Sequence, residues 1–114
     1  MITVIYAESK PRTSITEGHV RHILAPSEDG TRVDVAIKDV EPGKTCRLSS
    51  SDRTQVVYLL EGKDATITHT RPGATSDYVA QRRTGVYLEP GEEASVTASG
   101  APLTLLLVTV PKHT

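Results

Sequence analysis

Hydrophobic and polar positions along this chain alternate mostly with a period of two, the pattern of half-buried β-strands. No window repeats apolar residues at the spacing of an amphipathic helix. Ile2-Thr3-Val4-Ile5-Tyr6 predicts a first strand, followed by a polar stretch through Glu17-Gly18. His19-Val20-Arg21-His22-Ile23-Leu24 predicts a second, ended by the turn Pro26-Ser27-Glu28-Asp29-Gly30. Val33, Val35 and Ile37 alternate with Asp34, Ala36 and Lys38, again the pattern of a half-buried strand. After Glu41-Pro42-Gly43 a polar run, Ser49-Ser50-Ser51-Asp52-Arg53-Thr54, leads into the dense apolar segment Val56-Val57-Tyr58-Leu59-Leu60, closed by Glu61-Gly62. Further strands are expected around Ala65 to His69, from Tyr78, at Gly85 to Leu88, at Ser95 to Ala98 and at Leu103 to Val110, where Pro111 stops the last one. Roughly nine to eleven short strands separated by Gly, Pro and Asp predict an all-β sandwich or barrel.

Composition narrows this to one domain spanning residues 1–114. There is no Trp and no Phe, so the core must be built from Val, Leu, Ile, Ala and the four Tyr. Thirteen Lys and Arg against fourteen Asp and Glu leave a formal charge of −1, which argues against a nucleic-acid or anionic-membrane partner. The lone Cys46 excludes an internal disulfide, fits a reducing compartment and reads as a small core hydrophobe. With no apolar run of membrane-spanning length and no leader pattern from Met1 to Lys10, a cytoplasmic protein is expected.

Two stretches resemble the motifs of the cupins, small jelly-roll barrels. The first cupin motif is a Gly, five residues, His-x-His, three or four residues, Glu, six residues and a Gly. Here Gly43 is followed at that spacing by Ser49-Ser50-Ser51, Gln55 and Gly62. The second is a Gly, a short strand, a Pro-Gly turn and a His three residues on; this chain has Gly85, Pro90-Gly91 and Ala94, with a shorter interval before the turn. The resemblance covers Arg32 to Pro111 and implies a single cupin-type jelly roll. It also implies that the metal-ligating positions carry Ser, Ser, Gln and Ala, weak ligands or none for Fe, Mn, Zn or Ni. No metal and no cofactor are therefore expected.

Alternation puts Arg47, Ser49 and Ser51 on one strand face, the face that in cupins points into the barrel, and Gln55, Val57 and Leu59 on the inside of the next strand. An inward Arg47 is expected to clamp an anion, with Ser49, Ser51 and Gln55 as hydrogen-bonding groups beside it. His69, at a strand end near the rim, is the candidate general acid or base, with Tyr58 and Tyr87 as candidate proton donors. His19 and His22 fall on opposite faces of one strand and read as surface or strand-end residues, and His113 lies in the tail.

The function expected is binding of a small oxygenated or carboxylated metabolite for metal-independent isomerase, dehydratase, cyclase or lyase chemistry, in a biosynthetic or sugar-acid pathway. Two alternatives are a non-catalytic ligand-binding or assembly module and an enzyme whose metal is held by relocated histidines such as His22 and His69. A homodimer is expected, formed by exchange of the N-terminal strand over Met1 to Tyr6.

Overall fold

The computed structural model of the chain describes residues 5–25, 32–49, 53–71 and 73–110. A short 3-10 turn at Ala7–Ser9 leads into ten strands. These are β1 (Thr13–Ile15), β2 (Gly18–Leu24), β3 (Asp34–Val40), β4 (Thr45–Ser49), β5 (Thr54–Glu61), β6 (Ala65–Arg71), β7 (Ala74–Ala80), β8 (Gly85–Leu88), β9 (Glu93–Thr97) and β10 (Leu103–Val110). They form a six-stranded sheet in the order β1-β2-β3-β10-β5-β8 and a four-stranded sheet in the order β4-β9-β6-β7. Every pairing is antiparallel, and sequence neighbours β4 and β5 lie in different sheets, as a jelly-roll sandwich requires.

The core is the apolar parity of each strand. Leu103, Leu105 and Leu107 on β10 face Val57 and Leu59 of β5 on one side and Val40 and Ala36 of β3 on the other. Across the gap, β4 contributes Cys46 and Leu48, β6 contributes Ala65 and Ile67, and β9 contributes Ala94 and Val96. Close approach of strands is permitted by two glycines. A Cβ on Gly18 would run into the carbonyl of Asp39 on β3, and one on Gly62 into the Leu103 side chain.

Several expectations shift in position. The strand expected over Ile2 to Tyr6 lies mostly outside the described residues, and Ile5 and Tyr6 are in no strand. The stretch after it, read as polar connection, contains the edge strand β1. The Tyr78 strand begins earlier, at Ala74, because its partner β6 runs to Arg71 and the two pair along their whole length.

On β3 the larger apolar residues turn outward. Val35 and Ile37 are half-buried on the outside of the six-stranded sheet, while Asp34, Ala36, Lys38 and Val40 face the other sheet. Val56, Leu106 and Val108 share that outer face through the β10 ladders, so this sheet is apolar on both sides. The consequence for the interior is that two charged side chains of β3 point into it.

Candidate functional site

Those two charges line a cavity of about 260 Å3 on the inner face of the six-stranded sheet, closed at one side by the β1–β2 turn. Ile15, Val20, Ala36 and Leu107 supply its apolar surface; Glu17, His22, Asp34, Lys38, Gln55 and Thr109 supply the polar one. By comparison with a 150 Å3 cavity that admits benzene, this volume suits a ligand of about ten non-hydrogen atoms.

The cavity has a charged floor. Lys38 Nζ lies 3.6 Å from Glu17 Oε2, and the two side chains are only 17% and 18% exposed. Lys38 Nζ also donates to Cys46 Sγ at 3.5 Å, linking the six-stranded sheet to β4 of the other. Burial pushes the Cys46 thiol up from its ordinary value, and the neighbouring Lys38 charge offsets this only in part. Cys46 is thus an inert thiol that receives a hydrogen bond.

Above the floor, register aligns Asp34, Thr109 and Gln55 across three adjacent strands, β3, β10 and β5. Gln55 Nε2 donates to Thr109 Oγ1 at 3.4 Å, and Gln55 Oε1 is buried with no partner. Asp34 makes no side-chain hydrogen bond or ion pair among the described residues. The exposed His22 stands at the rim.

The residues singled out from sequence do not converge. Gln55 faces inward with Val57 and Leu59, and lines the cavity. Arg47 does not face inward. Its neighbours Cys46 and Leu48 are 0% and 3% exposed, so the pleat carries Arg47 to the outside, where it lines a separate groove with Thr45, Glu93 and Ser95. Ser49 pairs through its backbone with Glu93 at the end of β4, and Ser51 lies outside the described residues. Ala94 is buried on the inner face of β9.

The candidate proton-transfer residues divide as well. His69 shares its parity on β6 with Ala65 and Ile67, so it turns inward rather than standing exposed at a strand end. Its Nε2 donates to Glu92 Oε2 at 2.7 Å, and the other Glu92 oxygen accepts the Glu89 backbone N–H at 2.9 Å. His69 and Tyr87 line one cleft of about 400 Å3, together with Tyr78 and Val86, distinct from the cavity that holds Gln55. Tyr58 is in neither. Its neighbours Val57 and Leu59 point in, which leaves Tyr58 half-buried on the outer face of the six-stranded sheet. His22 and His69 line different cavities, so the relocated-histidine pairing is not assembled.

The fold recurs in proteins of very different sequence. A structure described as a predicted oxalate decarboxylase from Thermotoga maritima superposes with a TM-score of 0.74 at 17% identity, covering 96% of this chain and 99% of that one. Ectoine synthase from P. lautus gives 0.78 at 17% identity over 99% of this chain and 80% of its own. A deletion variant of Bacillus subtilis oxalate decarboxylase gives 0.81 at 15% identity; this whole chain matches 31% of its length. The fold is that of the cupins. Neither the protein-family models nor the curated protein sequences contain a match to this cupin-fold chain.

A metal of the usual cupin kind does not fit the donors at the four motif positions that can be judged from this chain. Ala94 presents a methyl group and Gln55 a neutral amide, and serine hydroxyls are poor ligands for such ions. Among the described residues, no group of three or more His, Cys, Asp or Glu side chains is placed to hold a metal ion. Nor is any helix among them long and apolar enough to cross a membrane.

Sequence reasoning missed Glu17, Asp34, Lys38 and Thr109 as cavity residues of this cupin fold. For Asp34 and Lys38 one signal was available: they share parity with Ala36 and Val40, the fully buried positions of β3. For Glu17 there was none, since only the β1–β2 hairpin carries it beneath the sheet.

Proposed function

We propose that this chain binds a small oxygenated or carboxylated metabolite in the cavity on the inner face of its six-stranded sheet. We propose further that it acts on that metabolite by metal-independent proton transfer, of the isomerase, dehydratase, cyclase or lyase type. The observation that carries the reading is the buried, unpartnered Oε1 of Gln55 on the wall of a cavity that also exposes Lys38, Glu17 and Asp34. An unmade hydrogen bond of this kind costs about 1–3 kcal/mol, which a ligand hydroxyl or amine would recover. Asp34, whose carboxylate has no partner among the described residues, offers a base to take up a proton. The apolar walls fix the remainder of the ligand.

Ligand-observed NMR against a panel of hydroxy acids, keto acids, sugar acids, polyols and amino alcohols tests this. Binding of at least one member is expected, with amide shifts at Lys38, Gln55 and Thr109 and slow conversion in the same tube. Failure of every member to bind, or shifts confined to outer surfaces, would overturn the reading. Binding without conversion would remove its catalytic half.

A homodimer belongs to this reading. The half-buried Val35, Ile37, Val56, Leu106 and Val108 on the outer face of the six-stranded sheet form the kind of apolar surface that a second copy covers. An exchanged N-terminal strand would add at β1, one of the two edge strands of that sheet. Light scattering at micromolar concentration is expected to return twice the chain mass; a monomer would contradict it.

A further inference from the structure

The open valences of the cavity are acceptors. Lys38 is the only Lys or Arg among the described residues lining it, and its charge is already engaged by Glu17 at 3.6 Å, with a further bond to Cys46. Thr109 accepts the Gln55 amide N–H, which leaves Gln55 Oε1 as an acceptor without a donor. The Asp34 carboxylate has no partner among the described residues. His22, the remaining titratable group of the lining, is exposed at the rim.

We propose that the cavity selects a small organic ammonium compound with a second N–H or O–H donor, its ammonium on Asp34 and its other donor on Gln55 Oε1. The inference rests on the metabolite-binding reading and names the ligand class for that same site.

Geometry and charge both lead there. Asp34 and Gln55 sit two strands apart on one face with Thr109 between them, and strands are spaced about 4.8 Å apart. Their backbones are therefore about 10 Å apart, and side chains reaching inward leave a span that a three-carbon bridge between two donors fills. A carboxylate ligand would meet Asp34 as a like charge and would find Lys38 already paired. A neutral diol would satisfy both acceptors but leave the Asp34 charge uncompensated in a half-dry site. An ammonium gives a charge-assisted hydrogen bond to Asp34 and so exceeds the diol in affinity. The walls of Ile15, Val20, Ala36 and Leu107 suit the alkyl bridge.

The test uses three probes of matched length, 3-amino-1-propanol, 1,3-propanediol and 3-hydroxypropanoate, titrated into the full chain and followed by amide shifts. The amino alcohol is expected to bind at least ten-fold tighter than the diol, and the hydroxy acid more weakly than either. Asp34→Asn should remove the ten-fold preference. Asp77→Asn, which alters an exposed residue outside the cavity, should leave it intact. Equal or tighter binding of the diol or the hydroxy acid at the same cavity amides would overturn the inference while leaving the metabolite-binding reading standing. The same holds if the amino alcohol shows no shifts to about 50 mM while other panel members bind. If no compound of either set binds, both readings fall together.

Discussion

Replacing Leu105 with alanine is expected to lower the unfolding free energy by about 3–4 kcal/mol, the largest single effect of any change considered for this chain. Leu105 is 1% exposed and sits in mid-strand on β10, with Lys38 of β3 on one side and Leu59 of β5 on the other. β10 joins the two halves of the six-stranded sheet, so a void beneath it is bounded on both flanks by paired backbone that resists collapse. The chain contains no Phe or Trp whose large ring might swing in to fill the space. For a domain whose total stability is of order 5–15 kcal/mol, the loss is a large fraction and should lower the melting temperature by roughly 10–20 °C. Val110→Ala is the control, since its side chain has the outer parity of β10, is 40% exposed, and should cost less than about 1.5 kcal/mol. Urea denaturation of the two variants decides it, and equal losses would contradict the assignment of strand faces.

Breaking the floor of the cavity from one side is expected to destabilise the fold by about 1–3 kcal/mol, whereas removing both partners is not. With Glu17→Gln, Lys38 keeps its charge in a site where its side chain is only 17% exposed, and retains only the weak acceptor Cys46 Sγ. With Lys38→Met, the Glu17 carboxylate is stranded instead. The double variant Glu17→Leu, Lys38→Met puts two apolar side chains against Val20, Ala36 and Leu107, and stability should return to within about 1 kcal/mol of the parent. A double-mutant cycle by chemical denaturation measures this directly. Strictly additive losses would mean that the two groups do not interact. The same double variant is expected to shrink the cavity, so its recovered stability should come with lost ligand binding.

The cupin fold was legible because turn chemistry and period-two alternation agree over most of the chain, and because the frame from Gly43 to Gly62 keeps the family spacing. On β5 the inward set, Gln55, Val57 and Leu59, could be read directly from that frame. On β4 the same frame misled. Family spacing turned Arg47 inward, yet Cys46 and Leu48 are the apolar members of the strand, and their burial leaves Arg47 outside. On β3 both parities carry apolar side chains, and the bulkier set faces out because the outer face of the large sheet is itself apolar. Alternation cannot rank two such faces; only the pairing of Leu103 with Val40 and of Leu107 with Ala36 does so. The Glu17–Lys38 pair joins a hairpin turn to the middle of a strand, and no local pattern announces it. His69 could be placed near the rim from its position at a strand end, but its bond to Glu92 depends on the β8–β9 turn folding back towards β6.

These particulars converge on Gln55. It occupies a motif position where the cupin resemblance implies a metal-ligating carboxylate, points inward, and holds a buried acceptor that nothing among the described residues satisfies. If the cavity is a ligand site, Gln55→Leu must separate stability from binding. Titration of wild type and Gln55→Leu with the tightest binder of the panel, beside their denaturation curves, is the most direct measurement. Binding should weaken at least ten-fold while stability stays equal or rises, because the variant removes an unmade hydrogen bond. Unchanged affinity in a stably folded Gln55→Leu protein would contradict the account.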